Sequence, residues 1–365
     1  MHVPDGFIDA PVSIAAGVAA AGAVAVSLRG ARRELGGTSQ AEGSGGERAA
    51  PLAGLVAAFI FAVQMLNFPV AAGTSGHLLG GALAAILVGP YTGVLCVSVV
   101  LLMQGVLFAD GGLTALGVNV MTMAVVTVVV AYAVFRGLLK LLPDTRRSVT
   151  VAAFAGALLS VPGAAVMFTL LYALGGTTDV PLGKVFTAMV GVHVLIGIGE
   201  AAITAATVGA VLAVRPDLVH GARGLSAPLK LRVGGELVDA PVAAPVAAPA
   251  AARSTKPVWI TGLVTALVLA GVVSFYASGS PDGLEKVAAD KGIDQNVKEH
   301  ATADSPLADY SVKDVDDARL SGGLAGVIGV GATVAVGTGI FWTVRRRRAE
   351  DLTAASTTST ASTAV

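Results

Sequence analysis

What most constrains this chain is a succession of apolar runs, many of them about as long as a lipid bilayer is thick. A bilayer core takes about 20 apolar residues of helix. Nine segments read as candidates: 7–28, 51–66, 77–88, 92–109, 112–135, 149–174, 184–214, 258–277 and 322–344. The third is short, and Gly89-Pro90 interrupts it. It reads as a brief tilted helix or as one arm of a re-entrant pair, tolerated only where protein or a polar cavity covers the backbone. Composition agrees: 54% of residues are hydrophobic and 13% are charged, against about 25% charged in soluble domains. The 46 glycines and abundant Ala and Val let membrane helices approach closely. The expected fold class is therefore all-α, a polytopic integral membrane protein that crosses the cell membrane several times.

Lys and Arg set the expected orientation. With the N-terminus outside, eighteen of the 24 fall on the inner side: four in 29–48, four in 136–147, six in 215–256 and four in 345–348. That predicts nine crossings, N-terminus out and C-terminus in. The start lacks a basic n-region and a small-residue cleavage site, so Met1 is expected to be the mature end. Composition breaks divide the rest. Residues 36–50 read as a flexible inner loop. The domain boundaries expected are a seven-span unit over 1–215, an inner Pro/Ala-rich linker over 216–257, a two-span hairpin over 258–348 and a disordered tail over 349–365. The hairpin's outer loop, 278–321, holds ten acids against five bases.

Much chemistry is excluded. One cysteine, Cys96, allows no internal disulfide, Cys-rich zinc site or iron–sulfur cluster. Zero net charge argues against a nucleic-acid partner. Gly183-Lys184 is not a phosphate loop: six residues rather than four separate it from Gly176, and Val185 stands where Ser or Thr is needed. With no nucleotide site, ATP-driven work must come from a partner. No metalloprotease or nucleophile motif is present, so the chain does not read as an enzyme.

Of five histidines, His220 and His300 read as solvated loop residues. His2 is more informative. The Met1 amine, the His2 amide nitrogen and the His2 imidazole can chelate one metal through a five- and a six-membered ring. Three nitrogens in a plane suit nickel(II) or copper(II), with cobalt(II) accommodated, better than tetrahedral zinc. Pro4-Asp5-Gly6 is a turn that can fold the terminus back on the first helix, and Asp9 is placed to cap that helix. His77 could supply a fourth nitrogen. It ends the uncharged outer loop 67–77, in which Asn67, Thr74 and Ser75 could hold a ligand ring. Gln104, Asp110 and Asn119 lie near outer helix ends and could complete such a shell. His193 and Glu200, seven apart, share a helix face inside a span, as a functional or a structural pair.

These residues resemble a known family. Met1-His-Val-Pro-Asp-Gly-Phe7, the run Gly-Thr-Ser-Gly-His-Leu-Leu-Gly-Gly ending at Gly81, and His-Val-Leu-Ile-Gly-Ile-Gly-Glu-Ala from His193 resemble three signatures of the CbiM/NikM substrate-specific (S) components of cobalt/nickel energy-coupling-factor importers. Ser280-Pro-Asp-Gly-Leu-Glu285 resembles the Pro-Asp-Gly-Leu-Glu hairpin of the small N component, nickel type, so the chain looks like an M–N fusion. The resemblance implies a planar site of Met1 amine, His2 amide, His2 imidazole and His77, with Ni2+ or Co2+ as cargo and no permanent cofactor. It implies as partners a membrane coupling (T) subunit and cytoplasmic ATPases of the CbiQ/NikQ and CbiO/NikO type. Ala15, Ala19 and Ala23 form a small-residue stripe suited to the coupling subunit, or equally to packing within the bundle. A metal-responsive sensor or scaffold without transport is the alternative.

Overall fold

A computed structural model describes residues 1–35, 49–71, 73–223, 230–233, 236–239 and 254–362. The long apolar runs become helices because a backbone in lipid must satisfy its own hydrogen bonds. Seven described helical spans are long and apolar enough to cross a membrane: α1 (Ala10–Leu35), α4 (Pro90–Leu107), Leu116–Leu139, α7 (Arg146–Gly175), α8 (Leu182–Val214), Lys256–Tyr276 and Ala318–Arg346. The protein is a multi-pass membrane protein. Leu116–Leu139 comprises α5 (Leu116–Asn119), a π-helical stretch (Val120–Val126) and α6 (Thr127–Leu139). Lys256–Tyr276 is α9 (Lys256–Gly271) with a terminal 3-10 turn.

The two remaining segments are shorter. The sixteen-residue α2 (Ala49–Gln64) is mostly buried. In the third, only α3 (Gly81–Val88) is helical, and residues 77–80 are irregular, with Gly80 left-handed at φ +84. Eight helical residues advance about 12 Å, and the irregular stretch adds less than the about 13 Å of four extended residues. Together they carry the chain from His77 to the level of Glu34, which accepts hydrogen bonds from the Tyr91 (3.2 Å) and Thr92 (2.7 Å) amides at the start of α4. This non-helical passage is possible because His77 to Leu87 are buried in protein. At the start of α3, the Glu200 carboxylate accepts the Leu79 (2.6 Å) and Gly80 (3.0 Å) amides.

The hairpin is not a separate body. α11 (Ala318–Ser362) packs along α2, and α9 packs on both. Their loop, which contains the short helix α10 (Gly283–Lys291), lies across the end of the bundle where α1 begins. Tyr310 in that loop stacks on Phe108 (centroids 4.8 Å). Three expected boundaries shift. The folded unit runs past 215, since Val219 and Ala222 in the short 3-10 turns after α8 are buried. The Ala-Pro repeats lie outside the described residues, although a small hairpin, β3 (Lys230–Val233) with β4 (Glu236–Asp239), falls within the expected linker. α11 continues to Ser362, through the tail expected to be disordered.

Candidate metal centre

The N-terminal segment is held from several sides. Asp9 caps α1, its carboxylate accepting the Val12 amide at 2.9 Å. Gly6 turns with φ +94, and a Cβ there would meet the Asn296 carbonyl oxygen of the hairpin loop at 2.1 Å, so the turn requires glycine. The Asp5 carboxylate accepts the amide (2.8 Å) and the hydroxyl of Thr114. Asn119 holds Val3 at both polar groups: Oδ1 accepts the Val3 amide at 2.7 Å and Nδ2 donates to the Val3 carbonyl at 3.1 Å. Met1 is 2% exposed in consequence.

This places the Met1 amine beside His77. The amine donates to His77 Nε2 at 2.7 Å. With metal–nitrogen bonds of about 2 Å, neighbouring donors in a square plane stand about 2.8 Å apart, so the spacing suits two donors on one ion. His77 stands just after β2 (Thr74–Gly76), which pairs with β1 (Phe68–Ala71). Its Nδ1 faces the Leu78 carbonyl (3.0 Å), which directs Nε2 to the amine. The His2 ring stacks on His77 with centroids 5.1 Å apart. His2 Nε2 meets Gln104 Oε1 at 3.0 Å, and Nδ1 faces Asp110 at 3.2 Å. Burial pushes the His2 imidazole down to about 4, against the pull of Asp110. Near pH 7 the ring is neutral and can offer a lone pair. His2 and His77 line a cavity of about 590 Å3 that also reaches Gln64, Asp110, Glu285 and Tyr310.

Of the six residues expected to support the ligands, Asp110 and Gln104 contact one of them, His2, and the closer contact is that of Gln104. It is fixed in turn by donating to Gln64 Oε1 at 2.8 Å. Ser75 instead receives the hairpin loop: its hydroxyl donates to the Ser280 carbonyl at 2.7 Å and its amide to that of Pro281 at 2.9 Å. Asn67 does the same through its carbonyl, which accepts from the Ser278 amide at 2.7 Å. Thr74 sits buried in β2 opposite Ala71. His193 and Glu200 are not a pair. Glu200 holds the start of α3, and His193 Nδ1 donates to the Met189 carbonyl at 2.7 Å. On α1, Ala15 and Ala19 are exposed and Ala23 is half-buried, while Ala16 and Ala20 face the bundle. The stripe is thus not the helix's internal packing face. His300 and His220 are half-buried rather than solvated, and His300 Nε2 meets the Gly111 carbonyl at 3.1 Å.

Sequence reasoning missed Asp282. It caps α10 with a capping box, accepting the Glu285 amide at 2.9 Å through Oδ1. Its other oxygen lies 2.6 Å from the Met1 amine and 3.5 Å from His77 Nε2. Burial raises its pKa, but the Met1 ammonium and His77 outweigh this and hold it well below the usual carboxylate range. One ring nitrogen each of His2 and His77 and one carboxylate oxygen of Asp282 fall within 4.8 Å of one another. The signal in the sequence was the Asp-Gly-Leu-Glu cap; nothing in it placed that cap beside residue 1.

Comparison with known proteins places the chain in a family. Residues 2–218 match the family model CbiM, cobalt uptake substrate-specific transmembrane region, and residues 256–346 match the PDGLE domain. A Haloquadratum walsbyi protein named for metal transport is 39% identical over 60% of this chain and 93% of its own. An Archaeoglobus fulgidus protein named as a fused nickel transport protein, NikMN, is 33% identical over 92% of this chain and 97% of its own. The fused nickel transport protein NikMN of Rhodobacter capsulatus is 32% identical over 92% and 95%. The chain therefore belongs to the CbiM family of cobalt uptake substrate-specific transmembrane regions, with a PDGLE domain fused behind it.

Proposed function

We propose that this protein captures nickel(II) or cobalt(II) at its outer face, as the substrate-binding component of an energy-coupling-factor importer. The donors are the Met1 amine, the His2 amide and imidazole, and His77. The observation that carries this reading is the buried Met1 amine 2.7 Å from His77 Nε2. Gln104 accepts from the Nε2–H of His2, as outer ligand partners do, and the ion takes Nδ1 in place of that atom's 3.2 Å contact with Asp110. Four nitrogens in a plane favour nickel, and so do the names of the fused relatives. The energy comes from a membrane coupling subunit and cytoplasmic ATPases. The exposed small residues Ala15 and Ala19 suit docking of that coupling subunit. Replacing His2 or His77 with Ala is expected to weaken nickel or cobalt binding by more than about 100-fold, beyond the range for outer partners, and to abolish uptake while the protein stays in the membrane. Normal binding by His2→Ala, read by titration of purified protein, would refute the chelate.

A further inference from the structure

We infer that Asp282 is a fifth, apical ligand to the cargo ion and suits the site to cobalt(II) as well as nickel(II); this rests on the reading of Met1, His2 and His77 just given. Three donor atoms already stand in the right relation. The Met1 nitrogen lies 2.7 Å from His77 Nε2 and 2.6 Å from Asp282 Oδ2, and Oδ2 lies 3.5 Å from Nε2. A triangle with those sides fits a circle of about 1.8 Å radius, smaller than a metal–ligand bond of about 2.0–2.1 Å. One ion can therefore sit at bonding distance from all three atoms without moving any of them. The position of Oδ2 is the apical one. In a square plane, two neighbouring donors leave two places, each opposite one of the pair and about 4.0–4.2 Å from it. Oδ2 is nearer than that to both nitrogens, at distances either side of the about 2.8–3.0 Å between neighbours, so it stands off the plane.

The hairpin is fastened so as to hold the carboxylate there. Ser75, two residues before His77, donates through its hydroxyl to the Ser280 carbonyl at 2.7 Å and through its amide to the Pro281 carbonyl at 2.9 Å. Those are the two residues before Asp282, so the stretch of chain that carries His77 also sets the place of the carboxylate. Gly283 then passes close to α8, where a Cβ would meet Ile196 Cδ1 at 2.8 Å. The cap of α10 uses Oδ1, which accepts the Glu285 amide at 2.9 Å, and leaves Oδ2 to the centre. His2, His77 and Asp282 border the cavity of about 590 Å3, which gives an ion access to them. A ring nitrogen of His2 lies within 4.8 Å of the His77 and Asp282 donors, so a short swing of that ring away from Asp110 closes the set. Charge agrees. A divalent ion held by one ionised amide and neutral nitrogens keeps a single positive charge, and burying an unpaired charge is costly. Asp282, 8% exposed, cancels it. Nickel(II) is complete with four planar nitrogens. Cobalt(II) has one d electron fewer and takes a donor above the plane, which the carboxylate supplies.

The test uses the purified full chain with cobalt(II) alone as probe, under argon, read by electron paramagnetic resonance. In four strong planar donors the unpaired electron of cobalt(II) lies along the axis and reports what stands there. The parent is expected to give the low-spin signal of an ion with one apical donor. Asp282→Ser keeps a good helix cap but is too short to reach the ion. It is expected to shift the g values to those of an ion without the carboxylate and to lower cobalt(II) affinity about tenfold or more, with a smaller loss for nickel(II). A parent signal that lacks an apical donor would overturn the assignment, and this outcome does not depend on any variant folding. So would an Asp282→Ser protein, passing as a single size-exclusion peak, that keeps the parent's signal and cobalt affinity. Failure of the planar reading is seen separately, with nickel(II): His2→Ala would then keep the parent's affinity.

Discussion

Asn119 is worth following at the scale of single residues, because the geometry of the metal centre hangs on it. It touches no proposed ligand, yet it holds the Val3 backbone at both its amide and its carbonyl. Replacement by Leu leaves the buried Val3 amide unpaired, at a cost of about 1–3 kcal/mol, while the Val3 carbonyl keeps the Gly112 amide at 2.9 Å. Asn119→Leu is expected to weaken nickel binding about 10-fold or more, the lower end for outer partners, while the parent's planar spectrum returns at saturating metal. A titration followed by absorption checks both. The legible part of the site was the part whose donors are adjacent along the chain. Met1 and His2 announce a chelate because ring sizes are fixed by covalent bonds. His77 was reachable as an uncommon imidazole in an uncharged loop. Asp282 was not, because an aspartate opening a helix is ordinarily a cap, and Asp282 is one. Its second oxygen meets residue 1 only through folding.

Elements come next. The segment 77–88 joins an irregular stretch to a two-turn helix, under cover of α2, α4, α6, α7 and α8. Hydropathy found the segment but could not choose between a tilted helix and a re-entrant arm, since the choice depends on what covers the backbone. The short turns after α8 tell a similar story. Polar residues and a His suggested a solvated linker, yet Gly221 packs so that a Cβ would meet Phe135 at 2.6 Å. Burial, with Arg223 and Arg136 nearby, pushes His220 down to about 4. For a base with a lowered folded pKa, protonation favours the unfolded chain. Its stabilising contribution is complete above the ordinary value of 6.5 and is lost as pH falls from there towards 4. Metal-free protein should therefore melt at a lower temperature at pH 4.5 than at pH 7. His220→Asn should show a smaller drop, measured by thermal unfolding in detergent at both pH values.

At the scale of the whole molecule, the hairpin and the bundle make one site between them. The loop 278–321 carries a net charge of −5, ten acids against five bases, and brings Asp282 and Tyr310 to the end of the bundle where α1 begins. Tyr310 packs in one aromatic cluster with Phe108 and Phe61 and donates to Asp110 at 2.6 Å. Desolvation, then the neighbouring Asp110 charge, raises its phenol well above its ordinary value, so it remains a donor. Tyr310→Ala removes a large half-buried ring, at less than the about 3–5 kcal/mol of a fully buried one. It is expected to loosen the loop and let limited proteolysis cut between 298 and 317, where the parent resists. An unchanged cleavage pattern would mean that the loop is held elsewhere.

Taken alone, the order of residues determined that this chain lives in a membrane, and covalent geometry in it is the basis for proposing that its first two residues grip a planar metal. Hydrophobic length and covalent ring size are local properties, so they can be read without a fold. Tertiary structure alone decided which distant groups meet. It brought residue 1 to residues 77 and 282, parted His193 from Glu200, and turned an expected accessory domain into a wall of the site. Such meetings depend on how helices stack and loops close over them, and spacing along a chain does not encode distances across a bundle.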